Sequence, residues 1–549
     1  MMDSKDDNAT VALASPTSGD VEQGETDKLH RSLKGRHMQM IAIGGSIGAG
    51  LFVGSGGALA KGGPGSLIID FIIIGIMLLL TVNAMGELAA LYPVAGSFYN
   101  YSIRFIDPAW GFAMGWNYAM NWIIVLPFEL TVAGATIAFW TDPNDTGSPS
   151  ISVGVWITIF LILVTAINFF GVKGYGEVEF WLGLIKVVAI IGFIIVGVVI
   201  NVGGVPTDTR GYIGAKYWHD PGAFRNGFKG FCSVFVTASF AFGGTELVGL
   251  AAAEAANPRK TIPPATKQVF WRISLFYVIS LFILGLIVPS DNKDLSSASG
   301  SGDTRYSPFV LSFKMASIKV LPSIFNAVIT LSVISVANSC TFASTRTIQA
   351  LCARGMGPSW GAKVDSKGRP WIALTIALLF GCLAYVNLAP QGGDIFTWLL
   401  SISGLSNFFT WGSICYAHIR FRKAWAMNGR TVDDLPFAAM FGVTGSYIGL
   451  ALNILCLVAQ CYVSLFPIGG SPNAMAFFEN YLAAPVVLLF FVGYKIYYKQ
   501  WSFGVNLAKV QIDEGRRELD FNALRAELDA ERAEKATWPL WKRQMDFWF

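Results

Sequence analysis

About twelve runs of roughly 20 apolar residues punctuate the 549-residue chain, near 39–60, 66–90, 110–139, 152–171, 180–201, 229–252, 269–288, 308–344, 371–389, 394–418, 441–465 and 480–497, and a helix needs a run of that length to cross a bilayer. A chain with so many such runs is expected to be an all-α polytopic membrane protein, each helix satisfying its own backbone polar groups. Composition agrees: 53% of residues are hydrophobic, only 14% are charged, and the mean hydropathy is +0.51, too apolar for a soluble protein of this size. The first 37 residues are polar and contain no apolar stretch before a cleavage site, so the first span is expected to act as the targeting signal.

Lysine and arginine placement sets the expected orientation. Lys28, Arg31, Lys34 and Arg36 precede span 1; Arg259, Lys260 and Lys267 follow span 6; Arg346, Arg354, Lys363, Lys367 and Arg369 lie around the loop after span 8; Arg420, Arg422, Lys423 and Arg430 follow span 10. These ends are expected in the cytosol, and an even span count places both tails there. The loop after span 5, with Arg210, Lys216 and Arg225, breaks the pattern. The net charge of +4 is spread over the loops, which argues against a nucleic-acid partner. The chain has four histidines, no HExxH arrangement and no Gly-Lys dipeptide, so a metal site, a Walker A loop and ATP hydrolysis are not expected. The seven cysteines form no CxxC pair and read as small core residues. No cofactor and no enzymatic activity are expected.

Two glycine-rich interruptions inside apolar spans point to a site. Gly44-Gly-Ser-Ile-Gly-Ala-Gly-Leu-Phe-Val-Gly-Ser-Gly lies in span 1, and Phe240-Ala-Phe-Gly-Gly-Thr-Glu lies in span 6. Non-helical backbone at membrane depth is tolerated only where it lines a cavity or finds other partners. Paired interruptions in corresponding positions mark the binding site of transporters built from inverted repeats, here spans 1–5 and 6–10. Half-helix ends expose N–H groups that suit a carboxylate and carbonyls that suit an ammonium; a small ligand carrying both is an α-amino acid. Close helix packing through small residues is the alternative explanation.

The chain resembles the fungal amino acid permeases of the yeast amino acid transporter family, within the amino acid, polyamine and organocation superfamily, and most of all the general amino acid permeases. The resemblance covers nearly all of residues 30 to 500. It rests on Met40-Ile-Ala-Ile-Gly-Gly-Ser-Ile-Gly-Ala-Gly-Leu-Phe, Gly86-Glu-Leu-Ala-Ala-Leu-Tyr-Pro-Val-Ala-Gly-Ser-Phe, Leu126-Pro-Phe-Glu-Leu-Thr, Phe242-Gly-Gly-Thr-Glu-Leu-Val-Gly, Glu254-Ala-Ala-Asn-Pro-Arg-Lys-Thr-Ile-Pro and the run from Ser403 to Arg422. It implies a twelve-helix, five-plus-five inverted-repeat fold with spans 1 and 6 broken, plasma-membrane uptake of L-amino acids, and coupling to protons. The substrate-binding set is then the backbone of Ser46, Ile47, Gly48, Ala49 and Gly50 and of Ala241, Phe242 and Gly243, with Phe240 where bacterial relatives cap the bound amino acid. Ser46 and Ala49 fall at carboxylate contacts, and Ala49 lacks the hydroxyl some relatives have there. Asn121 and Ser403 match positions that influence selectivity, and their small uncharged side chains suit a broad substrate range.

Intramembrane charges supply the proton-coupling candidates, because they are costly there. Glu129 in span 3 has about 18 residues on either side before a clear loop, and Glu246 lies just past the span-6 interruption. A hydrogen-bonded carboxyl pinning two helices remains open for each. Lys186, about six residues into span 5 and so roughly 9 Å along the helix, could equally snorkel to the interface; the resemblance implies that it fills the place a sodium ion takes in sodium-coupled relatives. Glu87 reads as inner-gate or loop packing, and Asp70 as facing the outer interface.

Three regions are expected: a cytoplasmic tail 1–37, a transmembrane permease domain 38–500 and a cytoplasmic tail 501–549. Lys5, Lys28 and Lys34 offer modification points, with ubiquitin ligase adaptors as partners alongside membrane lipid. Phe521 to Lys535 has the pattern of an amphipathic helix. Relatives commonly end in a cysteine suited to palmitoylation, and this sequence closes on Phe549. Asn144-Asp-Thr is a glycosylation sequon. A proton-coupled importer of many L-amino acids is the leading reading; an amino acid sensor, and a permease for one substrate such as a single amino acid, GABA or choline, are the alternatives.

Overall fold

The computed structural model describes residues 37, 40–41, 45–94, 96–141, 151–255, 258–295, 307–366, 368–389, 392–516 and 521–542. Lys5, Lys28, Lys34, Asn144 and Phe549 lie outside them. Among the described residues the protein is helical, with no strand. Seven helices among the described residues are long and apolar enough to cross a membrane: Gly50–Leu91, Pro108–Thr141, Gly174–Asn201, Gly227–Ala251, Arg259–Ile287, Leu321–Ala353 and Gly442–Leu465. Spans 4, 9 and 12 are the shorter apolar helices Val153–Phe169, Trp371–Val386 and Ala483–Tyr497, and span 10 is Gly392–Met427.

Gly50–Leu91 carries two of the expected spans. It bends at Gly63 (φ 80°, ψ 170°), immediately before Pro64, a backbone shape glycine alone adopts without strain and a proline that cannot donate to the preceding turn. The freed groups are captured by the loop after span 5: Gly62 O accepts from Arg225 N at 2.9 Å, and Gly65 N donates to Ala223 O at 2.7 Å. This loop also explains its own exceptional charges. Arg210 pairs with Asp208 at 2.7 Å and donates to Ile287 O at 2.9 Å, and the Arg225 side chain donates to Ser290 O. Two of its three cations are therefore structural and say little about orientation.

Burial sorts the spans. The most apolar stretch of span 6 is 89% buried, that of span 11 only 28%, so span 6 is core and span 11 faces outward. Spans 4, 5 and 12 likewise turn Ile162, Val188 and Leu489 outward. The expected span at 308–344 begins differently: Pro308–Met315 is a separate short helix, Ser317 has a positive φ of 55°, and span 8 proper is Leu321–Ala353. The expected span runs across Lys314, Ser317, Lys319 and Pro322, a short polar interval with a proline that marks the junction of the two helices. The segment after span 12 folds back onto the basic loops, with Arg420 donating to Val505 O at 2.5 Å, Tyr92 to Ile512 O at 2.6 Å and Arg104 to Glu514 O at 2.8 Å.

Candidate functional site

Both interruptions are real breaks, and they lie against each other. In span 1, residues 45–48 are not helical, and helix resumes at Ala49 and Gly50. In span 6, the helix Gly227–Phe242 stops at Gly243, Gly244 takes φ 97°, and Leu247–Ala251 continues past them. A Cβ on Gly244 would stand 3.2 Å from Gly45 O, and one on Gly50 would stand 2.6 Å from Ala241 Cα. Only glycine permits this approach of two backbones.

A small cavity, about 20 Å³, lies where the breaks meet spans 3, 8 and 10, with room for about one water. Of the residues singled out from sequence, Ser46, Gly50, Asn121, Glu129, Phe240, Gly243 and Ser403 line it. Ile47, Gly48, Ala49, Ala241 and Phe242 are buried and are not among its lining residues. Sequence reasoning missed Trp122, Val125, Val336 and Asn407, which also line it. A helical signal existed for two of them, since Val125 falls between Asn121 and Glu129 at four-residue spacing and Asn407 is four residues after Ser403. Asn121 Nδ2 donates to Asn407 Oδ1 at 3.2 Å, and Asn407 Nδ2 to Ser239 O at 3.1 Å, fixing both amides.

Glu129 is fully enclosed. The Ala49 N–H at the first break is directed at its carboxylate, and among the described residues Oε2 has no hydrogen-bond partner. The Phe128 and Phe240 rings meet edge to face at 5.0 Å beside it. Glu246 sits away from the cavity: Oε1 accepts from Gly244 N at 3.3 Å and Oε2 from Trp411 Nε1 at 3.1 Å, so it ties the second break to span 10. Arg272 donates to neighbouring Thr245.

Lys186 does not snorkel. It is 1% exposed, with Nζ donating to Ser335 Oγ at 2.8 Å, and Glu179 Oε1 stands 3.9 Å away. Its helix starts at Gly171, well before the apolar run; the polar stretch from Lys173 to Glu179 disguised the first turns. Glu179 was missed for the same reason; Ser335 lies inside span 8, where no charge or glycine break marked it. Tyr277 was missed too: its hydroxyl donates to Ala241 O at 2.8 Å and lies 3.4 Å from Ser46 Oγ, while its ring stacks on Phe242 at 4.1 Å. It bridges the two breaks from a π-helical stretch, Arg272–Ile279, a geometry frequent at functional sites and invisible in sequence.

At the basic end, Glu87 accepts from His418 Nε2 at 2.9 Å, Arg422 Nη2 at 2.8 Å and Ala439 N at 2.7 Å, which places it in loop packing. Asp70 is fully buried rather than interfacial, and neither carboxylate oxygen has a partner among the described residues.

Residues 37–505 match the family described as Amino acid permease. Among similar proteins, Cationic amino acid transporter 1 of Schizosaccharomyces pombe is 56% identical over 85% of this chain and 79% of its own length. Amino-acid permease inda1 of Hypocrea atroviridis is 52% identical over 94% and 89%, and General amino-acid permease GAP1 of Saccharomyces cerevisiae is 49% identical over 95% and 86%. Broken helices meeting at a buried cavity, a multi-pass helical architecture and this similarity along almost the whole length agree, and the chain belongs to the amino acid permease family.

Proposed function

We propose that the protein is a proton-coupled symporter that imports L-amino acids of broad range across the plasma membrane by alternating access, with both tails in the cytosol. The observation that carries this reading is Glu129: an enclosed carboxyl that receives a backbone N–H of the span-1 break and shares its cavity with the span-6 break. A ligand's carboxylate would compete for the same N–H groups, so protonation of Glu129 would free them; binding of substrate and proton would then favour each other. The ligand's ammonium would meet the carbonyls of the span-6 break. Asn121, Ser403, Asn407, Val125 and Val336 are uncharged, which supports breadth, as do relatives named for general and for cationic amino acids.

Uptake of a radiolabelled L-amino acid panel into permease-deficient cells tests the proposal. Uptake of several amino acids that rises as external pH falls, collapses with a protonophore and ignores sodium is expected. Sodium-dependent uptake unaffected by the protonophore sinks the coupling; a single transported amino acid sinks the breadth.

A further inference from the structure

We infer that Glu179 is a second proton station, joined to Glu129 through Lys186 and Ser335, on the route by which the proton leaves the substrate site for the basic end of the bundle. The inference rests on the proton-coupled reading above.

Glu179 precedes Lys186 by seven residues on span 5, hence on the same face and about 10 Å nearer the basic end. Ser335 of span 8 stands between them, accepting from Lys186 Nζ at 2.8 Å and donating to Glu179 Oε2 at 2.7 Å. Both ionisable groups are enclosed, at 1% and 0% exposure. Ser335 is the chain neighbour of Val336, which lines the same cavity as Glu129, and the Lys186 charge acts on the Glu129 carboxyl. The polar row continues beyond Glu179: Tyr175 OH lies 3.3 Å from Ser339 Oγ, its ring stacks on Phe342 at 4.3 Å, and the Arg346 guanidinium lies 4.6 Å from that ring while pairing with Glu254 at 2.9 Å. The titratable and charged groups that act on Glu179 are thus Lys186 and Tyr175 of its own span, beside the hydroxyls of Ser335 and Ser339 of span 8; Cys340 and Arg346 of span 8 act on Tyr175, and Glu129 of span 3 acts on Lys186. Ions in such a place are costly and mark proton relays.

The step balances. It starts with Glu129 protonated, Lys186 an ammonium and Glu179 ionised. Lys186 passes a proton from Nζ to Ser335 Oγ as the hydroxyl proton of Ser335 moves to Glu179 Oε2, and the amine left behind takes the carboxyl proton of Glu129. Lys186 ends as it began, and one proton has moved from Glu129 to Glu179.

The test uses purified full-length protein in proteoliposomes, with radiolabelled L-arginine and L-leucine as probes. Exchange at equal pH needs binding and conformational change but no net proton release; accumulation driven by an imposed pH gradient needs the relay. Glu179→Gln is expected to exchange at the wild-type rate and to accumulate about a hundredfold more slowly, as loss of a positioned proton-transfer group implies. Ser335→Ala, which keeps both ions and removes the bridge, is expected to show the same split more weakly. Wild-type accumulation in Glu179→Gln overturns the relay, and so does parallel loss of exchange and accumulation, which would make Glu179 structural. Should Glu179→Gln fail to fold, Ser335→Ala decides: undiminished accumulation overturns the proposal. Wild-type protein that exchanges both probes but ignores the pH gradient removes proton coupling itself, a failure separate from that of Glu179.

Discussion

Two buried clusters of charge lie along the same bundle and are built on opposite terms. At the basic end, Glu87 is surrounded by donors from span 10 and from the backbone before span 11, and His418 also contacts Ser446 Oγ at 2.8 Å. At the core, among the described residues, neither Glu129 Oε2 nor Glu179 Oε1 has a hydrogen-bond partner, and the Lys186 nitrogen stands 3.9 Å from the latter. A carboxylate with every lone pair engaged holds helices together, and any change to it costs fold. One left under-satisfied has somewhere for a proton to go. Burial alone does not separate the two; the completeness of hydrogen bonding does.

The largest expected effect breaks the saturated cluster. Glu87→Ala strands Arg422 and the Ala439 N–H, and should lower stability by about 3–5 kcal/mol, read as early unfolding in detergent and poor surface delivery. Glu87→Ala that melts like wild type would erase the distinction. Next, Glu129→Gln should leave the melting temperature within a degree or so of wild type while slowing pH-driven uptake about a hundredfold; equal loss of stability and uptake would place Glu129 with Glu87. A smaller effect sharpens the geometry beside Glu129. A Cβ on Gly48 would stand 2.5 Å from Val336 Cγ2 and 3.4 Å from Glu129 Oε1, so Gly48→Ala should weaken apparent affinity by about 1–3 kcal/mol, and adding Val336→Ala should recover most of it. No recovery would mean that the loss lies in the backbone of the break.

The smallest effect concerns Asp208, outside the spans. Burial pushes its carboxyl up, but the side chain and backbone N–H of Arg210 outweigh this and hold it below the ordinary range. Its stabilisation is therefore present above about pH 4, the unfolded value, and lost as pH falls through the lower folded value. Asp208→Asn should melt slightly earlier than wild type at neutral pH, and the gap should close in strong acid. A gap that widened in acid would reverse the sign.

The comparison also shows where sequence reading stops. Spans and breaks were legible because apolar length and glycine placement follow directly from what a bilayer tolerates. Glu129 stood out because it is isolated in an apolar run. Glu179 did not, and Lys186 was singled out with snorkelling left open, because the helix that buries both opens with polar residues and looks like loop. Tyr277 and Val336 sit in apolar stretches of sequence with nothing to set them apart, and only the approach of two distant breaks gives them meaning. The separate helix Pro308–Met315 was absorbed into span 8 because the polar interval from Lys314 to Lys319 is short and flanked by apolar residues on both sides.

The bend at Gly63 has a mechanical consequence. Its two loose backbone groups are pinned by Ala223 and Arg225, and the chain enters span 6 at Gly227 immediately afterwards. One half of span 1, from Gly50 to the bend, is therefore stapled to the start of the half of span 6 that ends at the second break, and Tyr277 joins the two breaks at the other end of those halves. Neither half can swing alone without tearing hydrogen bonds at one end or the other. A cavity with room for about one water has to widen in the proposed transport cycle, and with both ends tied these halves, with span 2 continuing from the bend, are expected to move as one piece against spans 3, 8 and 10.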